Sequence, residues 1–294
     1  MKIGMSLPTM AKHYVRASTT EWAKAIDAGP FSSISCGERI TFHNPEMMVT
    51  MAAAAALTER VDVFVNLVVL PLHPIALVAK QLATLDNLCD GRLTVGLAIG
   101  GREDDYRAVG ANFRNRHQQL DDGVAELRRL WRGEPPFADA DPIGPPCVQP
   151  EGPRLLAGAM GPKALARAAQ WADGISGFSL TADPGEMGGA VTGARNAWDA
   201  AGRTDAPTVV SGTFFALGVD EPAAVLRGFT HDYLEIFGSK FATLISEQME
   251  TSEPDRLQRA LDEAEAAGVD EFILVPATVD RRCLDATIEF LDAR

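Results

Sequence analysis

The stretch "SCGERITFHNP", residues 35–45, sets a carboxylate, a guanidinium and an imidazole within a short span: Glu38, Arg39 and His43. Glu38 and Arg39 can pair with each other, orient a ligand, or shift a proton affinity beside an apolar wall. His43 reads either as a proton donor or as a plain loop residue before a helix. A second stretch, "LTVGLAIGGREDDYRAVG" (93–110), runs from apolar residues into Gly100 and Gly101 and then four charges, Arg102 to Asp105. The glycines let the backbone approach a ligand closely or take a positive φ. Arg102, directly after them, is a ligand candidate, while Glu103–Asp105 read equally as a solvated loop with helix-starting acids.

A third stretch, "RLLAGAMGPKALARAAQWADG" (154–174), ends an apolar run in Gly158, Ala159, Met160 and Gly161, and Pro162 opens a helix. Backbone N–H groups at a helix start after such a turn make an anion site. Lys163 and Arg167, four apart, add positive charge. In "VNLVVLP", Asn66 is polar within an apolar strand and needs a partner, either a ligand or a neighbouring group.

Composition narrows the classes. The 294 residues are 46% hydrophobic with a net charge of −13, which argues against a nucleic-acid partner that needs a basic surface. Cys36, Cys89, Cys147 and Cys283 have no CxxC spacing and read as reduced thiols; the histidines show no HExxH-like pairing, so no metal site is expected. The longest apolar run, Val61–Leu70, holds Asp62 and Asn66 and is too short to span a membrane. "MKIGMSLPTM" reads as a strand rather than a signal peptide, so a cytoplasmic protein is expected.

Eight strands are expected to position these residues: Lys2–Leu7, Ser33–Cys36, Val61–Leu70, Leu93–Ile99, Arg154–Ala159, Gly174–Gly177, Thr208–Leu217 and Glu271–Val275. Helical patterns alternate with them over Thr19–Ala28, Asn44–Thr58, Pro74–Leu88, Asn115–Trp131, Pro162–Trp171, Pro184–Ala201 and Arg281–Ala293. Asn44 is the expected N-cap of the second helix and Pro45 its first residue. At least two more helices fall between strands seven and eight. The alternation predicts an α/β protein, a (β/α)8 TIM barrel with insertions before strand five (133–153, seven prolines) and between strands seven and eight (218–270). A doubly wound sheet is the rival, but no GxGxxG follows the first strand. In such a barrel the active site lies at the C-terminal strand ends, where all three stretches arrive.

Together these residues resemble the luciferase-like monooxygenase family, the flavin- and F420-dependent oxidoreductases. The marks are "LATLDNLCDGRLTVGLAIGG", "RAVGANFRNR", "ELRRLWRG" and "PRLLAGAMGPKALARAAQWADGI". The resemblance covers nearly the whole chain and implies one such barrel over residues 1–294, with a tricyclic cofactor, F420 or FMN, across its strand ends. Its phosphate would sit on Ala159, Met160, Gly161 and Lys163, beside Gly158. Gly100, Gly101 and Arg102 would border it. A strand-three bulge, Asn66, Leu67 and Val68, would back the ring, with a non-proline cis peptide near Leu67–Val68. The family's acidic-histidine pair after strand two reads here as Glu38–Arg39, without the histidine. The implied activity is hydride transfer between cofactor and a small organic substrate, with Glu38 or His43 as proton donor and Arg39 or Arg102 touching substrate or ring. Lys12, His13, Arg16, Lys163 and Arg167 could hold the acidic tail of F420, which favours it over FMN. A homodimer is implied too, with the alanine-rich helix 47–57 as a contact. The rival readings are an oxygen-using FMN monooxygenase and a non-catalytic flavin-binding protein. A Schiff-base lyase lacks a strand-end lysine, since Lys80 and Lys163 fall on helices.

Overall fold

Parallel strands buried on both faces need helices outside and side chains from their neighbours inside. The computed structural model describes residues 1–294 and realises that arrangement. Eight strands, β1 (Lys2–Ser6), β2 (Ser33–Cys36), β3 (Asp62–Val69), β4 (Leu93–Ala98), β5 (Arg154–Ala157), β6 (Gly174–Ser176), β7 (Thr208–Phe215) and β8 (Glu271–Pro276), close in sequence order into one barrel. Each neighbouring pair is parallel, and β8 returns to β1. The expected (β/α)8 barrel is therefore the fold, with strand limits displaced by only one or two residues.

Around it run α1 (Ala17–Ala28), α2 (Met47–Ala56), α3 (Ile75–Leu88), α4 (Glu103–Val109), α5 (Arg116–Trp131), α6 (Pro162–Ala168), α7 (Pro184–Ala200), α8 (Pro222–Leu234), α9 (Ser239–Glu247), α10 (Pro254–Ala267) and α11 (Arg281–Asp292). Side chains alternate across a strand. Val63 and Val65 of β3 join the layer between barrel and helices, while Phe64 packs with Leu156, Val210 and Ile273 in the interior.

Some helix ends differ from the sequence expectation. The second helix starts at Met47, not Pro45, and its cap is Glu46, whose carboxylate accepts from the amides of Met48 (3.1 Å) and Val49 (2.6 Å). A carboxylate there meets both the open amides and the positive helix end. The Asn44 amide instead donates to the carbonyls of Arg39 and Pro45, which shapes the loop after β2. α6 stops at Ala168 rather than Trp171, because the amides of Gln170 and Trp171 tighten onto carbonyls only three residues back. The acids Glu103–Asp105 do start a helix, the short α4, which Gly110 ends in the left-handed conformation.

The insertion before β5 holds neither helix nor strand and is pinned to α3. Asp86, fully buried, accepts from the amides of Val148 (2.7 Å) and Gln149 (3.0 Å) and from the Gln149 side chain (2.8 Å). The insertion between β7 and β8 carries α8, a 3-10 turn at Glu235–Phe237, α9 and α10.

Candidate active site

The strand-three irregularity is present. Val65 pairs with Val95 and Val68 with Leu97, so β3 holds one more residue than β4 across that gap. The cis peptide lies at Asn66–Leu67, one residue before the expected place. By the alternation, Asn66 faces inward, and its Oδ1 accepts from the Ser176 hydroxyl at 2.9 Å, which answers the need for a partner. Leu67 lies over β4 and β5. A Cβ on Gly158 would stand 2.7 Å from Leu67 Cδ1, so this glycine clears room for packing. Val68 is fully buried in the barrel–helix layer.

Glu38 does not pair with Arg39. Its Oε2 accepts from the Val69 amide at 2.7 Å, and its Oε1 lies 2.7 Å from His73 Nε2. The Glu38 side chain is 3% exposed and that of His73 19%. An acidic-histidine pair therefore exists at this rim, with the histidine delivered by the 3-10 turn after β3 (Leu70–Leu72) instead of by β2. Its only trace in the sequence is the "LPLHP" that follows the third strand, where the ring precedes Pro74, the N-cap of α3.

Arg39 turns the other way, toward the second insertion. Its Nη2 donates to the Tyr233 carbonyl at 3.1 Å, and its guanidinium lies 3.7 Å from the Tyr233 ring centre and 4.6 Å from that of Phe42. It is nine-tenths buried, its Nη1 has no partner, and burial pulls its proton affinity below the ordinary arginine value. His43 departs further. Its Nε2 meets the Met10 carbonyl at 3.1 Å, its ring lies against Phe42, and it lines a separate cavity of ≈ 110 Å³ with Lys12 and Asp232. Cys36, just before the site, is fully buried, and burial pushes its thiol up to about 12.

At the end of β4, Gly100 takes φ +64 and a Cβ there would stand 2.6 Å from Val69, so the turn requires glycine. Gly101 carries no such constraint. Arg102 Nη2 donates to the Thr41 carbonyl (3.0 Å) and hydroxyl (3.1 Å), while its Nε and Nη1 are buried without a hydrogen bond. Arg39 and Arg102 line one cavity of ≈ 170 Å³ with Glu38, Val69, Tyr233 and Phe237.

Across β4 lies a cavity of ≈ 300 Å³, lined by Ile99, Gly158, Ala159, Lys163 and Arg167 among others. Ala159 is buried and Met160 81% exposed. The Leu165 amide returns to the Gly161 carbonyl, Pro162 has no N–H, and the amides of Lys163 and Ala164 make no backbone bond. A Cβ on Gly161 would meet nothing within 4 Å. Lys163 has no ion-pair partner, whereas Arg167 is held by Asp121 at 2.5 Å. Lys12, another expected cation, is likewise paired, with Asp232. His117 also lines this cavity, and burial together with Arg167 and Arg116 pulls its pKa down. Open amides, a free ammonium and empty space above Gly161 fit a phosphate.

Comparison with known proteins follows the same lines. The family model for luciferase-like monooxygenases matches residues 1–290. A pyrimidine monooxygenase of Methylobacterium radiotolerans is 37% identical over 94 residues, which are 30% of this chain and 24% of that protein. An F420-dependent secondary alcohol dehydrogenase, solved with an F420-acetone adduct, superposes with a TM-score of 0.80 at 17% identity, covering 100% of this chain and 99% of its own. The oxygenating constituent of 3,6-diketocamphane monooxygenase of Pseudomonas putida, in complex with FMN, superposes at 0.70 and 15% identity, covering 99% and 95%. At such identities the structures share the fold.

Proposed function

From the premise that the chain belongs to the luciferase-like monooxygenase family, we propose that it is an oxidoreductase moving a hydride between bound F420 or FMN and a small organic substrate. The observation that carries the reading is the open cradle at the β5–α6 turn, at the same barrel end as Glu38 and His73. The cofactor, when bound, supplies the hydride chemistry. The amides of Gly161, Lys163 and Ala164, with the Lys163 ammonium, would hold its phosphate. Asn66, Leu67 and Val68 would stand behind its ring. Glu38 Oε1 and His73 Nε2 lie within hydrogen-bond reach of each other, and Glu38 borders the cavity where a substrate would present its reacting atom. Tyr233 and Phe237 line that cavity with aromatic surface.

One observation favours the rival cofactor. Two of the five cations that could hold the acidic tail of F420, Lys12 and Arg167, are already paired with carboxylates. FMN, with a single phosphate, asks less of the cradle, and an oxygen-using FMN monooxygenase is the second reading. The test titrates purified protein with F420 and FMN separately, following absorbance and fluorescence. The reduced form of the binding cofactor is then offered aldehydes, ketones and activated alkenes, with and without oxygen. Binding of neither cofactor ends the proposal. Binding without turnover of any substrate leaves a non-catalytic cofactor-binding protein.

A further inference from the structure

Arg39 and Arg102 reach the same cavity from β2 and β4, and neither guanidinium has its fork closed by an acid. Arg39 makes no ion pair; its Nη2 is used by the Tyr233 carbonyl and its Nη1 is buried and unpartnered. Arg102 approaches one carboxylate, Asp105, with Nε at 3.5 Å from Oδ1, and its Nε and Nη1 make no hydrogen bond. The acids nearby are occupied. Glu38 divides its oxygens between Val69 N–H and His73, and Asp105 Oδ1 accepts from both the amide and the hydroxyl of Thr41. Buried donors in native proteins are nearly always paired, so two charged groups left open at one cavity call for an acceptor from outside the chain.

We propose that this cavity is an anion subsite that holds a carboxylate of the substrate, so that the proposed oxidoreductase acts on small organic acids with an apolar body. The inference rests on the substrate-binding reading of this cavity. The guanidiniums suit it because each is already fixed, Arg39 by a carbonyl and two aromatic faces and Arg102 by Thr41, so little freedom is lost when an acid binds. A carboxylate offers two oxygens to such forks. Val69, Ile236 and Phe237 make the apolar part of the wall, beside Glu38, Asp105, Tyr106 and Tyr233, and Phe237 is 56% exposed and open to cover by a ligand. The cofactor's phosphate has its own cradle on the other side of β4, with open amides and Lys163. The two sites therefore divide the anions between substrate and cofactor.

The test uses two probe pairs, benzoate against benzamide and hexanoate against hexanamide, by ligand-observed NMR on the purified protein with and without saturating cofactor. At least one acid is expected to bind about tenfold or more tightly than its amide, the difference one charge-assisted hydrogen-bond pair can supply. Arg39→Met and Arg102→Met should each erase that preference, and Arg39→Lys should keep part of it. Circular dichroism and melting check the fold. Should Arg39→Met not fold, Arg102→Met at the rim carries the test. F420 and FMN titrations of Arg102→Met should match the wild type. No acid preference in the wild type overturns the proposal, as does a preference that survives folded variants. Loss of cofactor affinity in the variants, with the acid preference intact, also overturns it and gives the guanidiniums to the cofactor. A wild type that binds neither cofactor yet prefers the acid ends the hydride-transfer reading and leaves the anion subsite standing.

Discussion

At the scale of single residues, Glu38 does not stand alone at this rim. Glu38 has Val69 N–H on one oxygen and His73 on the other, so removing either partner changes what the other can hold. Glu38→Gln keeps the shape and removes the ionisable group, and turnover should fall by about 10²- to 10⁴-fold, the usual contribution of a positioned acid or base. His73→Gln should fall by a similar order, and the double variant by much less than the product, because the two act as one unit. Cofactor titrations should be unchanged in all three. Full turnover in His73→Gln would make Glu38 a clamp for the end of β3. Gly161 tests the other side of β4. Its φ of −100 and ψ of 161 suit valine, and an added Cβ meets nothing, so Gly161→Val should fold with an unchanged melting temperature. The same side chain would occupy the phosphate's approach, and cofactor affinity should drop about tenfold or more, a loss of about 1.4 kcal/mol. Glu38 was legible as a candidate from its place after an apolar strand. His73 was not, because the pair joins positions 35 apart and forms only once β2 and β3 lie side by side.

At the scale of elements, apolar runs ending in polar loops gave away all eight strands, since parallel strands are buried on both faces and read as continuous hydrophobic stretches. Less legible were features decided by tertiary contact. Glu46, directly before Met47, caps α2, while the Asn44 side-chain amide donates to the Arg39 and Pro45 carbonyls. The extra residue in β3 shows only in its register against β4. The proline-rich insertion was readable as irregular, but not its anchor. Asp86 sits in the last turn of α3 and looks like an ordinary helix-surface acid, yet it is fully buried and accepts from the amides of Val148 and Gln149. Asp86→Ala would remove three hydrogen bonds: the backbone amides of Val148 and Gln149 lose their acceptor, while the Gln149 side chain keeps the Leu93 carbonyl. A hydrogen bond to a charged group contributes about 1.5–3 kcal/mol, and the three share one carboxylate, so a destabilisation of about 3 kcal/mol is expected. Limited proteolysis should then cut within 134–147 while the barrel resists. An insertion that stays uncut would mean Lys80 and Asn87, which hold the carbonyls of Gly144 and Pro146, suffice as anchors.

For the whole molecule the open question is self-association. Most of the apolar surface of α2 faces its own barrel: Met47, Met48, Met51, Ala54 and Ala55 are buried within the chain. What remains outward is Val49, 72% exposed, next to α3 with Leu77, 52% exposed. A homodimer through this face would be held by apolar contact between like-charged bodies, each at −13. Long-range repulsion of that kind is screened within roughly 10 Å at 0.1 M salt, whereas burial of valine and leucine gains nothing from low salt. The salt dependence thus separates this dimer from one held by ion pairs. Light scattering at micromolar protein should give twice the chain mass in 0.15 M salt and a lower mass as salt is removed. Val49→Glu adds a charge to each copy at the contact and should give the monomer mass at any salt concentration, with catalysis in the barrel unchanged. A wild type that scatters as a monomer in 0.5 M salt would leave α2 as a cover for the barrel and nothing more.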